Sequence, residues 1–176
     1  ARPVNVLPPE EQATFQGYRR ANGKVGTRNY IGILTSVNCS ASVARFIAEA
    51  ANRSRLLDDY PEIDGVVAFT HGTGCGMAAS GEGFDLLKRT QWGYAANPNL
   101  GGVLVVGLGC EVFQIARFKE LYGIEESDTF RTMTIQETGG TRRTIEAGLE
   151  RLKEMLGAVA AARRETVPAS EITLAL

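Results

Sequence analysis

Short, mostly apolar segments alternate along this chain with longer segments in which apolar residues recur at helical spacing. Residues 29–37, 65–69 and 102–108 predict buried strands, because a short apolar run between turn residues is typical of a strand covered on both faces. Residues 129–135, rich in β-branched and apolar side chains, predict a fourth strand.

Four segments that follow these strands predict helices. Ser40 is a good N-cap residue for a first helix that extends to about Leu56. The other helices are predicted over residues 82–96, 112–121 and 141–164. This alternation predicts an α/β fold: an open, mainly parallel sheet of about four strands, with helices on both faces in Rossmann-like layers.

The two ends of the chain lack this pattern. Residues 1–16 contain several prolines and no sustained period, so they predict an extended lead-in. Residues 17–28 are basic and glycine-containing, which favours a hairpin or ordered loop, or else a solvated basic turn. Pro168 ends the last predicted helix. The α/β domain is therefore predicted over residues 17–165, with a linker over residues 166–176.

The composition is typical of a globular protein: 44% of the 176 residues are hydrophobic and 22% are charged. A net charge of −1 gives no electrostatic reason to expect nucleic acid or an anionic membrane as a partner. Neither a membrane-length apolar run nor a signal-peptide pattern is present. Three widely spaced cysteines do not resemble a disulfide framework, which favours a reducing, cytoplasmic setting.

Residues with metal-binding or acid–base side chains follow the predicted strands: Cys39, His71, Cys75, Cys110, Glu111 and Glu137. Ligands of open parallel sheets bind outside the carboxyl ends of the strands, so we expect these side chains to meet at one edge. Taken singly, a cysteine is commonly a small buried hydrophobe, and a lone histidine a hydrogen-bonded structural residue. Their shared position favours a functional site.

Thiolate and imidazole ligands are typical of zinc and iron sites. The paired C-x-x-C spacing of structural zinc sites is absent from the sequence. Widely spaced ligands favour a catalytic iron, or an iron–sulfur cluster held by three cysteines with one open iron position.

The glycine-rich turn at residues 70–77 also predicts an anion site, because such turns present backbone N–H groups at a helix N-terminus. A dinucleotide site is only weakly indicated. Gly72, Gly74 and Gly76 lack the spacing of the dinucleotide fingerprint, and Gly107 and Gly109 have no third glycine.

Five motifs occur in order along the chain: Gly23-Lys24-Val25-Gly26-Thr27-Arg28-Asn29-Tyr30, Ser36-Val37-Asn38-Cys39-Ser40, His71-Gly72-Thr73-Gly74-Cys75-Gly76, Asn97-Pro98-Asn99 and Gly107-Leu108-Gly109-Cys110-Glu111. Together they resemble the altronate/galactarate dehydratase family, to which sulfolactate sulfo-lyase is similar. Members of the family are lyases that remove water from sugar acids. The resemblance is close over residues 17–140.

The resemblance implies dehydration of a sugar acid of the altronate or galactarate type to a 2-keto-3-deoxy acid. It implies dependence on iron, as Fe²⁺ or an iron–sulfur cluster, or on Mn²⁺. The candidate metal ligands are Cys39, His71, Cys75 and Cys110. The candidates for substrate binding are Lys24, Arg28, Asn38 and Thr73, the first two through the substrate carboxylate. Glu111 or Glu137 is the candidate for proton transfer or for support of the ligands.

Family members are longer than this chain, with a small N-terminal domain, separate in some relatives, and a large C-terminal domain. The chain resembles their middle domain, so residues 166–176 are expected to lead into the C-terminal domain. Part of the active site is then expected to come from outside the chain. The alternative is a non-catalytic α/β domain that gives scaffold or homo-oligomer contacts, with the chemistry elsewhere.

Overall fold

A computed structural model describes residues 7–173 of the chain. Within that range the strands are β1 (Thr14–Arg19), β2 (Val25–Gly26), β3 (Tyr30–Thr35), β4 (Gly65–Phe69), β5 (Leu100–Gly107), β6 (Phe130–Thr134) and β7 (Arg164–Pro168). The helices are α1 (Ala41–Arg53), α2 (Glu82–Ala95), α3 (Ile115–Tyr122), α4 (Ile135–Thr138) and α5 (Thr141–Ala160). The outer parts of the predicted lead-in and linker, residues 1–6 and 174–176, lie outside the described residues.

The central sheet has the strand order β4-β3-β5-β6, and each neighbouring pair is parallel. Helices α1 and α5 cover one face, where they form a core with Ile31, Ile33 and Leu104. Helices α2 and α3 cover the other face and pack on Leu34 and Val103. The predicted α/β fold, with an open parallel sheet and helices on both faces, is confirmed.

Strand β4 spans the predicted residues but is less buried than predicted. Only Val66 is buried along this strand, and its neighbours are half-buried. The reason is its position at the edge of the sheet, since an edge strand has a neighbour on one side only. Strand β5 lies inside the sheet and is buried over most of its length, as its continuous apolar run predicts.

Several details of the predicted helices are wrong. Helix α1 ends at Arg53 instead of about Leu56, and α3 begins at Ile115 instead of residue 112. The last long helix ends at Ala160 instead of residue 164, because Arg164 already belongs to strand β7. The Ser40 side chain does not cap α1; its hydroxyl donates to the Val37 carbonyl, 2.9 Å away. Within residues 7–173, no helix combines the length and apolar character needed to cross a membrane.

A second, antiparallel sheet of three strands has the order β2-β1-β7. Strand β1 begins inside the predicted lead-in and pairs along its length with β7, from Thr14 opposite Pro168 to Tyr18 opposite Arg164. Strands β1 and β2 form a hairpin, which is one of the three structures predicted for the basic segment. Strand β7 crosses the predicted boundary between domain and linker. This sheet joins the two ends of the described chain.

Candidate functional site

The order of the parallel strands creates a crevice at one edge of the sheet. The connection after β3 leads to one side and the connection after β5 to the other, so their loops separate at the carboxyl ends of these two strands. Cys39 follows β3, Cys75 follows β4 and Cys110 follows β5. All three cysteines are free and exposed. The topology therefore places three thiols along the carboxyl edge of three adjacent strands.

Backbone contacts join the loops after β3 and β4. The Asn38 N–H donates to the Thr73 carbonyl, 2.9 Å away. Gly74 has a φ of +98°, and a Cβ there would lie 2.9 Å from the Ser36 carbonyl oxygen. Only glycine accepts this conformation and this approach without strain. The pairing holds Cys39 and Cys75 on adjoining stretches of backbone.

The electrostatics of Cys39 reflect its neighbours. Partial desolvation by the protein surface raises the pKa of the Cys39 thiol above its ordinary value, and the nearby Cys75 and Cys110 thiols raise this pKa further. The Cys39 thiol also donates to the Asn38 Oδ1, 3.6 Å away. Two thiolates close together repel each other, so the neighbouring sulfurs favour the protonated form of Cys39.

The predicted metal ligands are not assembled around a common point. Among residues 7–173, no group of three or more histidine, cysteine, aspartate or glutamate side chains is arranged to hold a metal ion. The cysteines are neighbours at one edge, but the metal centre itself stays a prediction.

His71 is held by hydrogen bonds at both ring nitrogens. Its Nε2 lies 2.9 Å from the Thr35 carbonyl oxygen, and its Nδ1 lies 3.3 Å from the Thr73 N–H that donates to it. The buried Gln91 amide donates to the same carbonyl. The Gln91 amide nitrogen also lies 3.0 Å from the His71 Nε2. Both ring nitrogens are therefore engaged within the protein, which favours a structural role for His71 over metal binding.

The glycine-rich turn around His71 does not form the predicted anion site. Helix α2 begins only at Glu82, well after the turn, and its first turn carries the carboxylates of Glu82 and Asp85. Hydrogen bonding to Lys88 lowers the pKa of Asp85, which keeps this carboxylate charged. Two negative groups at this helix end repel an anion.

A mainly apolar pocket of about 280 Å³ adjoins His71. Its walls include Leu34, Phe69, Leu87 and Tyr94. The Phe69 and Tyr94 rings pack with their centroids 4.8 Å apart. Such walls are poorly matched to a charged polyol, because polar groups of the ligand would lose water without gaining partners.

Glu111 is a buried brace between the loops after β3 and β5. Its carboxylate accepts from the Ser36 hydroxyl, from the Leu108 N–H at 3.2 Å and from the Gly109 N–H at 2.6 Å. The side chain is 5% exposed. A Cβ at Gly107 would lie 2.5 Å from the carboxylate, so glycine is required beneath it. This geometry suits the predicted role of support more than proton transfer.

Glu137 lies on the rim of a polar cleft of about 370 Å³ that Glu111 also lines. The exposed Glu137 carboxylate accepts from the Thr134 hydroxyl at 2.6 Å. Lys119 supplies a cation and Glu126 a further carboxylate to the same cleft, whose lining includes Gly109 and Glu111 but not Cys110 between them. This volume lies within the roughly 300–1,000 Å³ typical of small-molecule sites.

Lys24 and Arg28 lie at the opposite edge of the parallel sheet. Both precede β3, whose six residues span roughly 20 Å at about 3.3 Å per residue. Arg28 is paired with Asp64, 3.2 Å away, at this amino-terminal edge. The structure therefore does not bring the predicted carboxylate-binding cations together with the cysteines. Asn38 and Thr73, in contrast, flank Cys39 and Cys75.

Several structurally important residues were not identified from the sequence. Arg20 donates to the Pro98 carbonyl at 2.8 Å and to the Asn29 Oδ1 at 3.0 Å, which docks the hairpin on the parallel sheet. The Asn99 Oδ1 accepts from the Thr27 N–H at 2.8 Å. The motifs that include Asn29 and Asn99 were the available signal, and the contacts assign them a structural role.

Comparison with known proteins gives relatives with related activities. Residues 17–160 match the family model described as D-galactarate dehydratase/altronate hydrolase, second domain. The chain is 33% identical over 171 residues to altronate dehydratase of Bacillus subtilis (strain 168), covering 94% of this chain and 32% of the relative. It is 38% identical over 178 residues to galactarate dehydratase (L-threo-forming) of Escherichia coli (strain K12), covering 97% of this chain and 34% of the relative.

A shorter match is to the (2R)-sulfolactate sulfo-lyase subunit beta of Chromohalobacter salexigens, 35% identical over 95 residues, covering 54% of this chain and 21% of the relative. The chain spans about a third of the length of the two dehydratases. The family match covers the whole parallel sheet and its loops. The chain belongs to the D-galactarate dehydratase/altronate hydrolase family and corresponds to its second domain.

Proposed function

We propose that this chain is a domain of a hydro-lyase that dehydrates a sugar acid of the altronate or galactarate type to a 2-keto-3-deoxy acid. One observation carries the proposal: three exposed thiols follow β3, β4 and β5 at the carboxyl edge of the parallel sheet, whose strand order reverses between β3 and β5. A polar cleft lies further along the same edge, between the loop after β5, α3 and the end of β6. This is where open α/β sheets bind ligands. Family membership supplies the reaction class.

The residues that would hold a metal are Cys39, Cys75 and Cys110. Soft thiolate ligands fit iron, as Fe²⁺ or in a cluster, better than the harder Mn²⁺, which prefers oxygen ligands. His71 fits less well because both of its ring nitrogens are hydrogen-bonded within the protein. A metal bound at this edge would supply Lewis acidity, which polarises a departing hydroxyl or the substrate carboxylate.

The polar cleft beside Cys110 suits a sugar acid. Lys119 is the cation that we assign to the substrate carboxylate, although the carboxylates of Glu111, Glu126 and Glu137 line the same cleft. Lys24 and Arg28 lie at the opposite edge of the sheet. The Glu137 carboxylate is exposed on the same cleft and can accept the proton next to that carboxylate or deliver one to the leaving hydroxyl. Asn38 and Thr73 flank the cysteines and offer hydrogen bonds to substrate hydroxyls.

The test is the iron content and visible absorption of the chain purified without oxygen, as wild type, Cys75→Ser and Ser80→Ala. Ser80 lies exposed in the same loop and serves as the matched control. We expect bound iron in wild type and Ser80→Ala and a loss of most iron in Cys75→Ser. Equal iron in all three proteins, or none in any, contradicts a cysteine-held metal in this domain.

A second candidate function is that of a non-catalytic scaffold within a longer enzyme. Two observations favour it: the described residues contain no assembled group of metal ligands, and His71 is committed to internal hydrogen bonds. In that case altronate and galactarate would neither be converted by the chain nor perturb NMR signals of Lys119 and Glu137. Shifts confined to this cleft on addition of either acid would favour the dehydratase role.

A further inference from the structure

The loops that carry Cys39 and Cys75 are paired, and both thiols are accessible. A backbone hydrogen bond of 2.9 Å joins Asn38 to Thr73, one residue before Cys39 and two before Cys75. Gly74 packs against the backbone of Ser36 and Val37, which keeps the two loops in van der Waals contact. Both cysteines are free and exposed.

Cys110 is related to Cys39 in a different way. Its loop is held to Ser36 through the Glu111 carboxylate and to α4 through the Gln136 N–H, which donates to the Leu108 carbonyl at 3.0 Å. A backbone hydrogen bond joins the Cys39 and Cys75 loops directly, whereas the Cys110 loop reaches the Cys39 loop through the Glu111 side chain. The Cys39–Cys75 pair is therefore the one best placed to react.

We propose that Cys39 and Cys75 are a site of oxidative modification, at which a two-electron oxidant such as hydrogen peroxide forms a reversible intramolecular disulfide and leaves Cys110 as a thiol. The inference does not depend on the proposed dehydratase activity. It concerns the two thiols in the absence of metal.

The chemistry balances in two steps. One thiolate attacks the O–O bond of hydrogen peroxide, which breaks and gives a sulfenic acid and, after proton transfer, one water. The second thiol then attacks this sulfur, forms the S–S bond and expels the oxygen as a second water. Two thiols are oxidised by two electrons and one peroxide is reduced to two waters. A dithiol such as dithiothreitol reverses the modification by thiol–disulfide exchange.

The local backbone favours closure of the bond. Gly74 and Gly76 flank Cys75, both at positive φ, and a Cβ at Gly76 would touch nothing within 4 Å. The Cys75 backbone can therefore adjust without disturbing a packed side chain. The exposed Cys39 side chain is likewise free to rotate towards it.

The experiment treats the reduced, metal-free chain with hydrogen peroxide, blocks free thiols with iodoacetamide and maps tryptic peptides without reduction. Trypsin places the three cysteines on separate peptides, because basic residues divide the chain between them, at Arg45, Arg55, Lys88 and Arg89. We expect two of the three thiols to be lost, a linked peptide pair that contains Cys39 and Cys75, and full recovery with dithiothreitol.

Two variants make the test specific. Cys110→Ser should still form the linked pair at the wild-type rate, whereas Cys75→Ser should show no intramolecular link and should retain both remaining thiols. A Cys39–Cys110 or Cys75–Cys110 link of equal yield would overturn the proposal. So would oxidation to sulfinic acid without any link, or links found only between chains.

Discussion

At the scale of single residues, the most consequential side chain is Glu111, for which the sequence left proton transfer and support of the ligands open. The Glu111 carboxylate accepts hydrogen bonds from Ser36, Leu108 and Gly109 and is almost fully buried. Each donor belongs to a loop that carries or adjoins a candidate cysteine. A charged acceptor with three donors is stabilised without a cation, so this single residue fixes the spacing of two loops.

Replacement of Glu111 by glutamine should destabilise the fold. The new amide group has to direct its NH₂ towards a backbone or hydroxyl donor, which leaves buried donors without acceptors. We expect the free energy of unfolding to fall by about 1–3 kcal/mol. Urea unfolding followed by circular dichroism measures this change.

Glu137→Gln is the matched control, because the Glu137 carboxylate is exposed and accepts from one hydroxyl only. Its effect on the free energy of unfolding should stay within about 0.5 kcal/mol. Similar losses for the two variants would show that Glu111 is not a brace and would return it to the list of candidate acid–base residues.

At the scale of elements, the loop after β4 depends on one glycine. Gly74 combines a φ of +98° with backbone atoms of the neighbouring loop at the place where a Cβ would stand. Gly72, two residues earlier in the same loop, has ordinary φ and open space around it. Alanine variants at the two positions therefore separate the contribution of loop packing from the general effect of replacing a glycine.

Gly74→Ala should strain the loop and separate it from Ser36 and Val37. We expect the free energy of unfolding to decrease by about 1–2 kcal/mol, the cost of placing a Cβ in this region of backbone space. Gly72→Ala should be neutral or slightly stabilising, since it lowers the entropy of the unfolded chain. Urea unfolding of both variants tests this, and equal effects would mean that the loop pairing contributes nothing to stability.

The parallel sheet could be predicted from the sequence because each of its strands has a local apolar signal. Residues 65–69 were placed without error, and β3, β5 and β6 within a few residues. The antiparallel sheet could not, because β7 is mostly exposed, β1 has no continuous apolar run, and the two strands pair with each other across the length of the chain. Local periodicity contains no information about such a partner.

The sequence predicts only those features of the site that follow from the order and direction of the strands. Cysteines that follow parallel strands had to lie at one edge, and they do. The role of His71 depended on Thr35 and Gln91, which no spacing in the sequence connects to it. Lys24 and Arg28 precede the first parallel strand, and that order already indicates the opposite edge of the sheet.

At the scale of the whole molecule, Arg20 links the two sheets. Its guanidinium is half-buried between the hairpin and the amino-terminal edge of the parallel sheet, and desolvation lowers its pKa. It donates to the carbonyls of Pro98 and Arg28 and to the Asn29 side chain, at 2.8, 3.1 and 3.0 Å. These acceptors belong to the segments that lead into β3 and β5, so one side chain orients the small sheet on the large one.

Arg20→Lys should weaken this link although it preserves the charge. A lysine ammonium is a single donor centre and cannot match the planar arrangement of three acceptors. We expect a loss of about 1.5–3 kcal/mol in the free energy of unfolding, the range for hydrogen bonds to a charged group. Arg55→Lys is the control, because Arg55 is 95% exposed and, within residues 7–173, forms an ion pair with Asp58 alone. Hydrogen exchange of the wild type and both variants locates the effect: the amides of β1 and β7 should lose protection in Arg20→Lys while those of β3 and β5 keep it. Uniform loss of protection would instead mean that the two sheets unfold as one unit, with Arg20 contributing to the common core.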